Sequence, residues 1–195
     1  MRKLRTIEMN RLSPAEFKQA KKLPLVVVLD DVRSLYNVGS VFRSGDAFRI
    51  EGLYLCGITA TPPNAEIHKT ALGGEDSVAW RYFQHTEEAV LALKADGYFV
   101  YSVEQVEGSM MLQDLTIDPK LGAKGYAVIL GNEVKGVKQE VVDMSDGCLE
   151  IPQFGTKHSL NVSTTAGIVM WEFARKMLMR AFSRAKCCML SLKRK

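Results

Sequence analysis

Cysteine is scarce in this chain, with four residues, Cys56, Cys148, Cys187 and Cys188, in a length of 195. None stands in a C-x-x-C pair, so the spacing gives no support to a zinc site or any other metal centre. Cys187 and Cys188 are adjacent and poorly placed to bridge each other. A reduced, cytoplasmic chain is the simplest reading. Long apolar runs are missing too. The longest uncharged stretch near the end, His158 to Trp171, is too short and too polar to span a bilayer, so no membrane partner is expected. The first twenty residues carry charges throughout and no apolar segment, which argues against a secretory signal. Internal repeats and low-complexity linkers are absent.

Acid is absent from one region in particular. Arg175 to Lys195 holds eight Lys or Arg and no Asp or Glu. Removing those eight from the total of 26 leaves 18 basic residues against 22 acidic ones, so the net charge of +4 hides a body near −4 and a tail of +8. Arg2, Lys3, Arg5, Arg11, Lys18, Lys21 and Lys22 make the opening stretch basic as well. Such ends can attract a polyanion, because Lys and Arg displace counterions from a phosphate backbone. They also read as solvated, partly disordered tails.

What is present suits one globular domain. A chain of this size buries roughly 70% of its unfolded surface. The composition is ordinary, with 47% hydrophobic and 25% charged residues. Strand-like runs alternate with helical stretches. Pro24 to Leu29 is a β-branched run ending at Asp30-Asp31, and reads as a buried strand. Asn37 opens a helical stretch through Phe48, and Gly52 to Cys56 is the next strand. Ala65 to Leu72 reads as a helix stopped by Gly73-Gly74. Val78 to Phe83 is a weak strand. Thr86 is expected to cap a helix to Ala95 with Glu87 and Glu88 in its first turn. Tyr98 to Val103, Gly125 to Leu130 and Cys148 to Ile151 are strands. Glu140 to Met144 ends a short helix, and a long helix runs from about Leu160 to at least Met179. This alternation predicts an α/β fold: an open, mostly parallel sheet with helices on both faces. Such sheets bind ligands at the carboxyl ends of their strands.

Three loops at strand ends carry the polar residues of interest. The first runs from Asp30 to Arg43. Asn37 offers a donor and an acceptor, Gly39 permits a close backbone approach, and Arg43 suits a phosphate. The same residues also read as a capping Asn and a surface Arg. The second is Gly131-Asn132-Glu133-Val134-Lys135-Gly136. It is not a phosphate-binding P-loop, since Val137-Lys138 follows the second Gly. Glu133 reads equally as a ligand acceptor or as a loop carboxylate. The third runs from Pro152 to Gly167 and opens a long apolar helix. Ser159 and Asn161 both face use there, unless Ser159 merely caps the helix and leaves Asn161 idle. No G-x-G-x-x-G turn follows the first strand, which disfavours a nicotinamide-linked oxidoreductase.

Taken in order, these loops resemble the SpoU-type (TrmH-like) RNA 2′-O-ribose methyltransferases of the SPOUT superfamily. The first motif is Asn37-Val38-Gly39-Ser40-Val41-Phe42-Arg43. The second is Gly131-Asn132-Glu133-Val134-Lys135-Gly136. The third is Ile151-Pro152 through Gly155, followed by Ser159-Leu160-Asn161-Val162-Ser163. The resemblance covers roughly Leu25 to Glu172. It departs at Gln153, where Met is usual, and at Thr164-Thr165, where Val-Ala is commoner; Gln153 bears on the rim of the pocket.

The resemblance implies a C-terminal deep trefoil knot, a homodimer packed through the knot region and the last helix, and S-adenosyl-L-methionine as cofactor. It implies transfer of a methyl group to a ribose 2′-hydroxyl of tRNA or rRNA. Asn37, Arg43, Glu133, Ser159 and Asn161 are the implied catalytic set, with Arg43 at the hydroxyl and an adjacent phosphate. Val103, Leu130, Gly131, Ile151 and Leu160 are implied to hold the cofactor through backbone. Residues 1–22 are expected as a basic arm, 23–180 as the methyltransferase domain and 181–195 as a basic tail. The extra N-terminal RNA-binding domain of many relatives is expected to be absent, leaving RNA capture to the basic ends. A base methyltransferase on a related knotted fold and a non-catalytic RNA-binding protein are the alternatives.

Overall fold

The computed structural model describes residues 1–9, 11–117 and 122–192, with side chains described to Met177 except those of Thr6 and Ile7. The side chains of the expected basic tail, 181–195, therefore lie outside the described residues. After a short helix α1 (Pro14–Gln19), the strands are β1 (Leu23–Asp30), β2 (Ile50–Cys56), β3 (Trp80–Phe83), β4 (Tyr98–Val103), β5 (Met110–Met111), β6 (Gly125–Leu130) and β7 (Gly147–Glu150). Between and after them come α2 (Leu35–Phe48), α3 (Ala65–Ala71), α4 (Gly74–Ser77), α5 (Thr86–Ala95), α6 (Gln139–Met144) and α7 (Val162–Leu192).

The strands form one sheet in the order β3-β2-β1-β6-β4-β7-β5, and every pairing is parallel. The physical cause lies in β1 and β6. Both are apolar on two faces, as a central parallel strand must be when helices cover each side. Leu25, Val27 and Leu29 point to one layer, with Phe42 of α2, Ile67 of α3 and Phe173 of α7. Val26 and Val28 point to the other, with Ala89, Val90 and Leu93 of α5 and Val141 of α6. The expected α/β sheet with helices on both faces is thus the observed one.

Element ends differ from the sequence reading in instructive ways. Ser34, not Asn37, caps α2, and its hydroxyl accepts from the Asn37 amide. Thr86 does not cap α5; His85 occupies that position. The buried Thr86 hydroxyl instead donates to Asp30, a fully buried carboxylate at the end of β1. A tertiary partner outbids the local helix terminus because a buried carboxylate needs donors. The Lys138 amide also donates to Asp30, and the Lys138 ammonium lies 2.8 Å from Asp31. Helix α1 also carries its own start signal, a reciprocal capping box between Ser13 and Glu16 with Pro14 at the first turn, and it buries Phe17.

Candidate active site

The order of strands brings the ends of β1, β6, β4 and β7 side by side, so the loops that follow them meet. The loop after β6 closes on itself first. Asn132 and Gly136 exchange backbone hydrogen bonds of 3.0 and 2.9 Å. The Asn132 side chain accepts from the amides of Val134 and Lys135 and donates 2.7 Å to the Asp31 carbonyl. Gly131 is required here: a Cβ would stand 2.1 Å from the Gly136 carbonyl carbon.

Glu133 then projects onto the loop after β1. Its carboxylate accepts from the amides of Arg33 at 2.9 Å and Ser34 at 3.0 Å, and from the Asn37 side chain at 3.1 Å. Desolvation pushes the Glu133 pKa up, but the two amides and Asn37 outweigh it and leave the carboxyl below its usual range. Asn37 is nearly buried, and its remaining carbonyl oxygen accepts from the Asn161 side chain at 3.1 Å. The Asn161 oxygen in turn accepts from the amides of Ser163 and Thr164, which caps α7. Asn161 is therefore the cap and is far from idle. Ser159 has no hydrogen-bond partner among the described residues. One polar relay, Glu133–Asn37–Asn161, thus joins the three loops across sequence separations of 96 and 124 residues.

Beside this relay lies a cavity of about 620 Å³. Val103, Leu130, Gly131, Ile151 and Leu160 all line it, as do Glu133, Ser159 and Asn161. Asn37 stands behind the wall through its two side-chain bonds. Arg43 is exposed on α2, does not line the cavity and has no hydrogen bond or ion pair among the described residues. Among the cavity residues that escaped the sequence reading are Glu104 and Gln105, which directly follow β4. Their signal was available: polar residues at the carboxyl end of a parallel strand are ligand-site candidates. Among the described residues no group of three or more His, Cys, Asp or Glu is placed to hold a metal ion. No described helix is long and apolar enough to cross a membrane.

A parallel sheet with a polar cavity walled by the loops after β4, β6 and β7 defines an α/β ligand-binding protein of the kind that works at strand carboxyl ends. The chain belongs to the SpoU rRNA methylase family, whose model matches residues 24–171. It is similar to the tRNA (guanosine(18)-2′-O)-methyltransferase of Thermus thermophilus, 28% identical over 171 residues that make up 88% of this chain and 84% of that one. It is also similar to an uncharacterized tRNA/rRNA methyltransferase of Borreliella burgdorferi, at 28% identity over 80% of this chain. The chain spans 66% of that relative's length and 61% of a Staphylococcus haemolyticus relative's. Among solved structures, the AdoMet-bound rRNA methyltransferase of Sinorhizobium meliloti superposes with a TM-score of 0.72 at 26% identity, over 85% of this chain and 61% of the other.

Proposed function

We propose that the chain transfers a methyl group from S-adenosyl-L-methionine to a ribose 2′-hydroxyl of tRNA or rRNA. The observation that carries this reading is the Glu133–Asn37–Asn161 relay beside a cavity lined by all five residues expected to face the cofactor. The Thermus thermophilus relative is named for that reaction on guanosine 18 of tRNA, and the Sinorhizobium meliloti structure holds AdoMet.

The residues present suit this cofactor. The cavity is of a size for a nucleoside-containing molecule. Gly131 lies so close to Gly136 that only a bare backbone forms that wall. Glu104, Glu133 and Glu150 line the cavity against one cation, Lys135, a balance that favours a positively charged sulfonium. Val103, Leu130, Gly131, Ile151 and Leu160 would hold the cofactor, which supplies an already activated methyl group. The work left to the protein is positioning and charge control. Asn37 and Glu133 fix the first loop against the second, and Asn161 fixes the third against both. Ser159, with a free hydroxyl at the rim, contacts the ribose. Arg43 stabilises the developing alkoxide and contacts the adjacent phosphate, the hydroxyl proton passing to solvent as the methyl group is transferred; a guanidinium stays protonated and is a poor base.

Arg43 does not line the cavity of its own chain, which supports a homodimer in which it serves the partner's cofactor. Trp171, 55% exposed, and Ile168 on α7 offer apolar surface for that contact. The knotted path of the C-terminal part, the capture of RNA by the basic ends 1–22 and 181–195, and a cytoplasmic location complete the proposal.

The test offers bulk tRNA and rRNA from cells lacking this gene, with labelled S-adenosyl-L-methionine. Nuclease P1 digestion and nucleoside mass spectrometry then identify the product. A 2′-O-methyl nucleoside at one position is expected; a methylated base would replace the ribose reading. Absence of cofactor binding would sink the enzyme reading. In Arg43→Ala, transfer falls by about 100-fold or more while cofactor affinity is unchanged. Full activity in that variant removes Arg43 from the mechanism.

A further inference from the structure

Glu104 and Gln105 follow β4 directly, and each holds a different loop of the cavity. The Glu104 backbone amide first extends the sheet, donating 3.1 Å to the Leu149 carbonyl of β7. Its side chain then turns to the loop after β6. Oε2 accepts from the Val137 amide at 3.0 Å, and Oε1 accepts from the Gln105 amide at 2.9 Å. Both carboxylate oxygens are occupied by backbone donors. No cation forms an ion pair with this carboxylate among the described residues. Gly136 records the same closeness: its φ is +70°, and a Cβ there would lie 2.2 Å from Glu104 Oε2. The carboxylate occupies the space a side chain at position 136 would need.

Gln105 reaches the other way. Its Nε2 donates 2.9 Å to the carbonyl of His158, in the loop between β7 and α7. That carbonyl sits one residue before Ser159 and two before Leu160. The loop around it is largely exposed from Pro152 to Asn161, with Phe154 at 96%. Burial therefore does little to hold it. Apart from the start of α7, its described side-chain ties are the Gln105 bond at one point and the Asn161 bond to Asn37 at another.

We propose that Glu104 and Gln105 form a clasp that sets the spacing of the two cofactor-facing loops. They are positioning residues for the cofactor: Glu104 fixes the backbone of the 131–137 loop, and Gln105 fixes the 153–160 loop. A carboxylate suits the first position because it presents two acceptor oxygens and no donor, so that each oxygen takes one of two amides converging from different segments. This inference rests on the proposed use of S-adenosyl-L-methionine for its binding readout.

The test uses Glu104→Gln, Glu104→Ala and Gln105→Ala in the full chain. Isothermal titration calorimetry measures S-adenosyl-L-methionine affinity, and amide hydrogen exchange with mass spectrometry follows both loops without cofactor. Loss of the carboxylate is expected to weaken cofactor binding about tenfold or more. Glu104→Gln keeps the shape but faces one amide with a donor, and falls between wild type and Glu104→Ala. Exchange speeds up in 131–137 for the Glu104 variants and in 153–160 for Gln105→Ala, while exchange in β1 and β6 is unchanged. Unchanged exchange in both loops overturns the clasp. If wild type itself fails to bind the cofactor, the proposed function fails, and the exchange data still decide whether the clasp exists. Equal acceleration across β1 and β6 would make the pair a general stability element and overturn the positioning role.

Discussion

Glu133 is exposed overall, yet it accepts hydrogen bonds from Arg33, Ser34 and Asn37. A carboxylate so supplied with donors prefers the charged form in the folded state. Its folded pKa lies below the ordinary 4.5 despite the opposing effect of desolvation. The stabilising contribution is fully present above the unfolded value and is lost as pH falls through the depressed folded value. Solvent screening keeps it modest. Glu133→Gln is expected to cost about 1 kcal/mol at pH 7, and the gap to wild type narrows as the medium is acidified below pH 4.5. Urea unfolding midpoints across that range measure it. A gap that stays constant with pH would mean the carboxylate gains nothing from its donors. Asn37 shows the complementary case. Its type and motif position were legible, but its partner Asn161 was not, because nothing local links residues 124 apart.

At the scale of elements, Gly39 is a point of close approach between α2 and α3. A Cβ there would stand 2.2 Å from the Ile67 carbonyl oxygen and 2.2 Å from Thr70 Oγ1. Backbone cannot move aside cheaply when both helices pack on the sheet. Gly39→Ala is expected to destabilise by roughly 1–3 kcal/mol through forced separation of the helices. Since α2 carries Asn37 two residues earlier, the same change displaces the relay. Chemical denaturation checks the first effect, and cofactor titration the second. Wild-type stability in Gly39→Ala would mean that the helices yield. Most elements were readable from hydrophobic runs: β4 and β6 begin and end where the pattern says. The starts of α2 and α5 were not, because Ser34 and His85 take the caps while Asn37 and Thr86 turn to tertiary partners. Helix α1 was missed, because residues 1–22 read as a basic arm, although Ser13-Pro14-Ala15-Glu16 carries the capping box and Pro that start it.

At the scale of the whole molecule, charge is divided between a body near −4 and a tail of +8. An acidic body repels RNA, so capture depends on where the cations are. Residues 184–195 hold five Lys or Arg and no acid. Deleting them is expected to weaken RNA binding and reduce the salt slope of the logarithmic affinity by up to about 4. Filter binding over a range of salt measures this, with cofactor affinity as the control. An unchanged slope would make the tail a bystander to RNA capture.

The sequence by itself determined the class of fold, since runs of β-branched residues alternating with helical stretches admit few arrangements other than a parallel sheet covered on both faces. It also determined the chemical inventory, because Asn37, Glu133 and Asn161 sit in short motifs at strand ends. The tertiary structure alone decided which of these meet. Strand order is set by long-range packing, and inserting β6 between β1 and β4 is what brings the loop of Glu133 against that of Asn37 on one side and that of Glu104 on the other. The clasp and the relay belong to that order, whereas the exposed Arg43 remains apart from the cavity of its own chain.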